Sequence, residues 1–229
     1  MKRLRYDAYI SNKKRKKMSS NNSDSEDDDT DDKKMDILSS LLNKKIDCID
    51  RHIYFNDNIT NRSISKLIKL IKRKNFEFEQ LERKIFHGKI QPLPLYLHIN
   101  SYGGDLQEGL LAADCIINSK IPIYTIIEGK AASAATFLSI CGKKRFITEN
   151  STILIHQLSG GFWGKFQEME DEQKNNKFFM KKMYDFYSKY TKKIKRTKLK
   201  EIMKHDLWWD ATTAIRYGFV DKIYYGEED

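Results

Sequence analysis

The apolar positions of this 229-residue chain change their spacing several times, and each change marks an element. Ile37, Leu38, Leu41 and Leu42 recur at helical spacing, so order is expected to begin near Asp36 with a short amphipathic helix. His52 to Asn56 alternates as a strand does. Thr60 or Ser63 then caps a helix that carries Ile64, Leu67, Ile68 and Ile71 on one face. The charged segment 75–91 reads as an inserted extension or loop. Leu95 to Ile99 is an apolar strand, and Tyr102-Gly103-Gly104 turns into a helix from about Leu106 to Asn118. Pro122 opens the next strand, Ile123 to Ile127, where a missing amide proton is tolerated. A strand, helix, strand unit of this kind implies a parallel sheet with right-handed crossovers.

That strand is expected to end at Gly129, with Ala131 to Cys141 following as a helix closed by Gly142. Strands are expected at Arg145 to Ile147 and Thr152 to His156. Beyond Gly160, Gly161 and Gly164 a charged helix runs from Phe166 to Tyr190. Its apolar residues, Phe178, Phe179, Met183, Phe186 and Tyr187, are spread widely enough to suggest contact with a second subunit as well as with its own domain. The chain closes with a helix near Thr197 to His205, the segment Asp206-Leu207-Trp208-Trp209, a helix from Asp210 ended by Gly218, and a strand Val220 to Tyr224.

Composition sets limits on this outline. Residues 1–35 hold a basic cluster, Lys13 to Lys17, a Ser/Asn stretch and an acidic run, Asp24 to Asp32, too polar to offset the entropy of ordering. They read as a disordered tail, leaving residues 36–229 as one domain. The basic cluster reads as solvation ahead of a nuclear address or an anion-binding arm. Apolar residues make up 40% of the whole chain, enough for a core once the tail is set aside. Cys48, Cys115 and Cys141 form no C-x-x-C pair and no metal-ligand spacing with histidine, which favours reduced thiols, no metal and an intracellular setting. No apolar run reaches the roughly 18 residues of a membrane span, and no signal peptide opens the chain. A net charge of +10 permits nucleic-acid contact, but the lysines are mixed with acids and no aromatic-interleaved basic groove is visible, so no specific nucleic acid and no membrane are expected.

Three strand ends carry residues suited to chemistry. Ser133 lies between a strand and a helix in Gly129-Lys130-Ala131-Ala132-Ser133-Ala134-Ala135, where amides and the helix dipole favour the charge of an attacked carbonyl. The plain alternative is a helix cap among packing alanines. Gly103-Gly104 can leave an amide free for an oxyanion or an extended peptide, or can be a simple tight turn. His156 closes Ile153-Leu154-Ile155, at the edge of the sheet where sites in α/β folds lie; singly it reads first as a structural histidine. A serine needs a base within reach, and that base an acceptor. Asp105, Asp206 and Asp210 are all available, and spacing does not rank them.

Taken in order, His98-Ile99-Asn100-Ser101-Tyr102-Gly103-Gly104, Gly129-Lys130-Ala131-Ala132-Ser133-Ala134, Ile155-His156-Gln157 and Ala214-Ile215-Arg216-Tyr217-Gly218-Phe219-Val220-Asp221 resemble the ClpP family, the proteolytic subunit of Clp proteases. The resemblance covers residues 36–225. It implies an α/β fold, a ClpP/crotonase-like spiral of strand-strand-helix units with a protruding long helix, the handle. It implies Ser133 as nucleophile, His156 as general base and Asp206 as the orienting acid, with the amides of Gly104 and Ala134 as oxyanion hole. Gly103, Asp105, Gln157 and Leu158 would clamp an extended peptide through main-chain hydrogen bonds. It further implies a homo-oligomer of heptameric rings stacked in pairs through the long helix, unfolded polypeptide substrates, an AAA+ unfoldase as partner, and no cofactor in this subunit, ATP being used by the unfoldase. The compartment is expected to be intracellular, the cytoplasm first. The family usually has proline at the positions of Tyr102 and Leu158, and segment 75–91 and the charged tail also depart from it. A catalytically silent ring or scaffold subunit and a different crotonase-fold or Ser/Lys hydrolase are the competing readings.

Overall fold

The computed structural model describes residues 45–84, 90–191 and 193–226. The tail expected over residues 1–35 and the helix expected from Asp36 lie outside the described residues. Order is seen first in a hairpin of β1 (Ile46–Ile49) and β2 (His52–Phe55), antiparallel with Ile46 opposite Phe55. Asp50, at φ 50°, makes its tight turn. The periodicity reading does not anticipate β1, because Ile-Asp-Cys-Ile is too short a run to declare a period.

In α1 (Asn61–Lys84) the Thr60 hydroxyl accepts from the Ser63 amide at 3.2 Å, and the Ser63 hydroxyl accepts from the Thr60 amide at 2.9 Å. This reciprocal cap satisfies two amides that have no partner inside the helix. Ile64, Leu67 and Ile71 are buried against the sheet. The helix then continues through Asn75 to Lys84, where a loop is expected from sequence. The charges of that stretch belong to a solvated helix face: Glu77 lies 3.7 Å from Arg73 and 3.4 Å from Lys74, and Glu79 lies 2.7 Å from Lys120. Asn75 anchors the middle of the helix, accepting from the Ile121 amide at 3.0 Å. Residues 85–89 of that segment lie outside the described residues.

The remaining strands are β3 (Leu95–Ser101), β4 (Ile123–Ala132), β5 (Lys144–Ile147), β6 (Thr152–Leu154), β7 (Trp208–Trp209) and β8 (Lys222–Ile223). Among the described residues the sheet runs β1-β2-β3-β4-β5-β8, parallel from β2 onward, and β6 joins β4 in parallel and β7 in antiparallel. The helices are α2 (Leu106–Ile117), α3 (Ala135–Ile140), α4 (Phe166–Thr191), α5 (Arg196–Ile202) and α6 (Ala211–Tyr217). Among the described residues no helix is long and apolar enough to cross a membrane. In α4 only Met183, Tyr187 and Thr191 are fully buried, and its first turn and a half, Phe166 to Asp171, is exposed.

Two expected boundaries move, and both bear on the site. β4 does not end at Gly129 but runs on to Ala132, and α3 begins at Ala135 rather than at Ala131. Gly129, at φ 92°, bends the strand. Its first half pairs with β5, its second half, Lys130 to Ala132, with β6. Ladder bonds to β6 satisfy the alanine backbone that the sequence alone assigns to a helix. The last strand is shorter than expected, although amide bonds from Asp221 to Arg145 O and from Tyr224 to Ile147 O flank it at 2.8 Å each. The Arg145 guanidinium holds both carboxylate oxygens of Asp221, at 3.1 and 2.5 Å, and donates to the carbonyls of Tyr190 and Gly218. Burial pushes the Asp221 carboxyl up, but hydrogen bonds and charge from Arg145 outweigh it and hold it below the usual range.

Alternation along the strands divides the sheet cleanly. Ile53, Phe55, Leu95, Leu97, Ile99 and Ile127 face the main core. The other face carries His52, Tyr54, Tyr96, His98 and Tyr124, with the His52 and Tyr96 rings stacked at 4.9 Å and Tyr54 and His98 at 4.6 Å. His98 Nε2 lies 2.8 Å from His52 Nδ1, and its Nδ1 lies 3.1 Å from Glu128. Burial pushes the His98 pKa below its ordinary value, against the pull of Glu128 and with the push of His52. The fold therefore favours neutral His98. Its contribution to stability is full above the unfolded value of about 6.5 and is lost as the pH falls through the lower folded value. Chemical denaturation between pH 8 and pH 5 is expected to show a shallower loss of stability in His98→Phe than in the unaltered protein; parallel curves would contradict this.

Candidate active site

Ser133 sits in the break between β4 and α3 at φ 53°, a left-handed conformation that costs a non-glycine residue on the order of 1–2 kcal/mol. Its amide donates to the Leu154 carbonyl at 2.8 Å, extending the β4–β6 ladder by one residue. Its carbonyl accepts from the Thr136 amide at 3.0 Å and the Thr136 hydroxyl at 2.6 Å. The Thr136 hydroxyl in turn lies 2.6 Å from that of Tyr187, fully buried in α4, whose phenol is pushed well above its usual pKa by burial. Thr136 and Tyr187 brace the serine from below. The sequence reading misses both, since a threonine in an alanine-rich helix and an aromatic on an amphipathic one look like packing.

His156 follows β6 by two residues, beyond the strand end at Leu154. Its Nε2 lies 2.7 Å from Ser133 Oγ. Asp206 Oδ1 lies 3.5 Å from His156 Nδ1, within ion-pair range but beyond the length of a strong hydrogen bond, and its side chain is 76% exposed. The pairing of Leu154 with Trp208 sets this approach, because it places Asp206 two residues before the strand that lies against β6. Buried Trp209 pins the segment, its ring 4.9 Å from Tyr217 and 5.3 Å from Phe219. The two other carboxylates open to the histidine from sequence are both spent as helix caps. Asp105 accepts from the Glu108 amide at 2.9 Å and Asp210 from the Thr213 amide at 2.8 Å. Those bonds from Thr213 hold the Asp210 carboxyl below the usual range.

The glycine pair is fixed by contact. Gly103 and Gly104 have φ of 94° and 146°. A Cβ on Gly103 would meet Ala132 O at 2.5 Å and the Ser133 Cβ at 2.8 Å; one on Gly104 would meet Ile59 O at 2.2 Å. Ile59 and Gly104 form a parallel bridge, with the Ile59 amide donating to Gly103 O at 2.8 Å and the Asp105 amide to Ile59 O at 2.9 Å. In such a bridge the N–H of the central residue points away from the partner, so the Gly104 amide faces the serine side. The Ala134 amide belongs to the residue that precedes α3, where helix geometry supplies no carbonyl partner.

Other expected contact points are already in use. The Gly103 amide donates to Ser101 Oγ at 3.1 Å, the Gln157 amide to Met203 O at 2.7 Å and the Leu158 amide to Met180 Sδ at 3.1 Å. With the Asp105 amide on Ile59, the main-chain donors of all four residues expected to clamp a peptide are occupied within the chain. Gly104, Asp105, Gln157 and Leu158 nevertheless line a cavity of about 360 Å³ together with Ser133 and His156; Gly103 lies behind it, against the turn. Phe137, Phe179 and Met183 form its apolar wall.

Gly104→Ala is expected to lower the melting temperature by several degrees, because the Ile59 backbone has to move, at about 2–3 kcal/mol and roughly 2–4 °C per kcal/mol. Gly160→Ala, where an added Cβ meets nothing within 4 Å, should stay within about 0.5 kcal/mol. Equal melting temperatures for the two variants would refute the steric account.

Two comparisons bear on this geometry. The family model described as Clp protease matches residues 84–227. The ATP-dependent Clp protease proteolytic subunit of Streptococcus mutans serotype c is 31% identical over 199 residues, which cover 83% of this chain and 90% of the relative. The mixed α/β sheet and the long α4 agree with the fold that the sequence motifs imply. By family model and by relative alike, the chain belongs to the Clp protease family.

Proposed function

We propose that this chain is a serine endopeptidase subunit that hydrolyses peptide bonds of unfolded polypeptides through an acyl-enzyme. The observation that carries the reading is the 2.7 Å separation of Ser133 Oγ from His156 Nε2 beside the strained turn. Ser133 Oγ attacks the scissile carbonyl while His156 Nε2 takes its proton. The C–N bond then breaks as the imidazolium returns that proton to the leaving amine, and water, deprotonated by the same nitrogen, attacks the ester carbon and releases Ser133. Asp206 orients the imidazole from its Nδ1 side and favours the cation formed in each half-reaction. The amides of Gly104 and Ala134 receive the oxyanion, each worth about 3 kcal/mol in the barrier. This subunit needs no cofactor for those steps.

A substrate strand has to bind mainly through carbonyls and through the Gly104 main chain, since the neighbouring amides are engaged. In the assembled form we propose heptameric rings stacked in pairs through α4, whose first turn and a half is exposed. An AAA+ unfoldase using ATP would feed unfolded chains into the chamber. Three free cysteines, Cys141 buried with its thiol pushed above its usual pKa by burial, suit an intracellular setting.

The purified protein is expected to react with a fluorophosphonate at Ser133 and to cleave an unstructured peptide. Ser133→Ala and His156→Ala should each lose about 10⁴-fold or more in kcat, and Asp206→Asn less, on the order of 10²- to 10⁴-fold, because its contact is long and exposed. Labelling that persists in Ser133→Ala, or independence from His156, would sink the assignment. A sedimentation mass of a strict monomer would sink the ring.

A further inference from the structure

Across the same cavity from Ser133 and His156 stands a wall built by α4. The face of α4 that lines it carries Glu172, Asn176, Phe179 and Met183, at spacings of four, three and four, which is one stripe of a helix. The lower part of that stripe is apolar and the upper part polar. Although the chain as a whole has a net charge of +10, the cavity lining contains two carboxylates, Asp105 and Glu172, and neither lysine nor arginine. Asp105 is spent on the cap of α2. Glu172 is half-buried, and among the described residues it has no ion pair and no hydrogen bond, whereas the adjacent Asp171 is paired with Lys174 at 2.9 Å.

We propose that Glu172 is a specificity-determining residue, giving the cavity beside Ser133 a preference for a lysine or arginine side chain of the substrate. The inference rests on the peptidase reading above. A long cationic side chain suits both parts of the stripe. Its methylene stem lies along Phe179 and Met183, and its charged tip reaches the Glu172 carboxylate, with the Asn176 amide as a further polar neighbour. A cavity of about 360 Å³, near the lower end of the roughly 300–1,000 Å³ of small-ligand sites, has room for one such side chain. Partial burial keeps the attraction between tip and carboxylate from being screened as it would be on open surface. A norleucine side chain fills the stem region but leaves the carboxylate unpaired, and a glutamate side chain adds like-charge repulsion.

Phosphonate probes that modify the serine, identical except for a lysine, norleucine or glutamate side chain next to the reactive phosphorus, separate the possibilities without requiring turnover or a partner. The labelling rate of the intact protein is followed by mass, with a plain fluorophosphonate as the control for folding and for Ser133 reactivity. The lysine probe is expected to label at least about tenfold faster than the norleucine probe. That ratio should fall to near unity in Glu172→Gln, and the glutamate probe should become the fastest in Glu172→Lys, while the plain probe reacts alike with all three proteins. Equal rates for the lysine and norleucine probes, a ratio that survives in Glu172→Gln, or reaction with the plain probe alone, overturns the role of Glu172 and leaves the peptidase reading standing. Failure of every probe, the plain one included, overturns both.

Discussion

A serine at φ 53° is held against its own backbone preference, and the local structure is built around holding it there. The amide is bonded to Leu154 in the sheet, and the carbonyl to Thr136, which meets Tyr187 of the long helix. From the remaining side the Gly103 backbone closes in until there is no room for even a methyl group. Each restraint alone contributes on the order of 1 kcal/mol, which is comparable with the strain. Acting from three directions, they leave the Oγ one place to go. The 2.7 Å contact with His156 is the result of that confinement.

The sheet delivers the other groups to the same spot by a change of partner. Up to Ile127, β4 lies between β3 and β5; after the bend at Gly129 it pairs with β6. This divergence opens the sheet at its edge, and β6 and β7 cross there to bring in His156 and Asp206. One strand thus belongs both to the core, through Ile123 and Ile127, and to the site, through Ala132. The Arg145 fork ties β5 to the ends of α4 and α6.

Much of this was legible in the sequence, though unevenly. Long apolar runs such as Leu95 to Ile99 and the capped periodic helix after Thr60 declare themselves, because their burial is one-sided or complete. Ser133, His156 and Gly104 were marked by their place at element ends and then by the family motifs. Asp206 could not be chosen over Asp105 and Asp210 on physical grounds, since the capping bonds that remove the latter two appear only in three dimensions. The alanines before Ser133 have helical propensity, yet they extend β4; ladder partners distant in sequence override local preference. Charge hid the length of α1, because a solvated helix face and a polar loop share a composition. Internal use of the Gln157 and Leu158 amides was likewise invisible, as it depends on Met203 arriving from the end of α5 and Met180 from α4.

The second face of the sheet carries a further consequence. His52 and His98 stand 2.8 Å apart with Glu128 beside the latter, so the two rings share a single proton position between them. Burial and the neighbouring His52 both work against a cation on His98, and together they outweigh the pull of Glu128. This aromatic face thus keeps His98 uncharged to a lower pH than an isolated imidazole would allow.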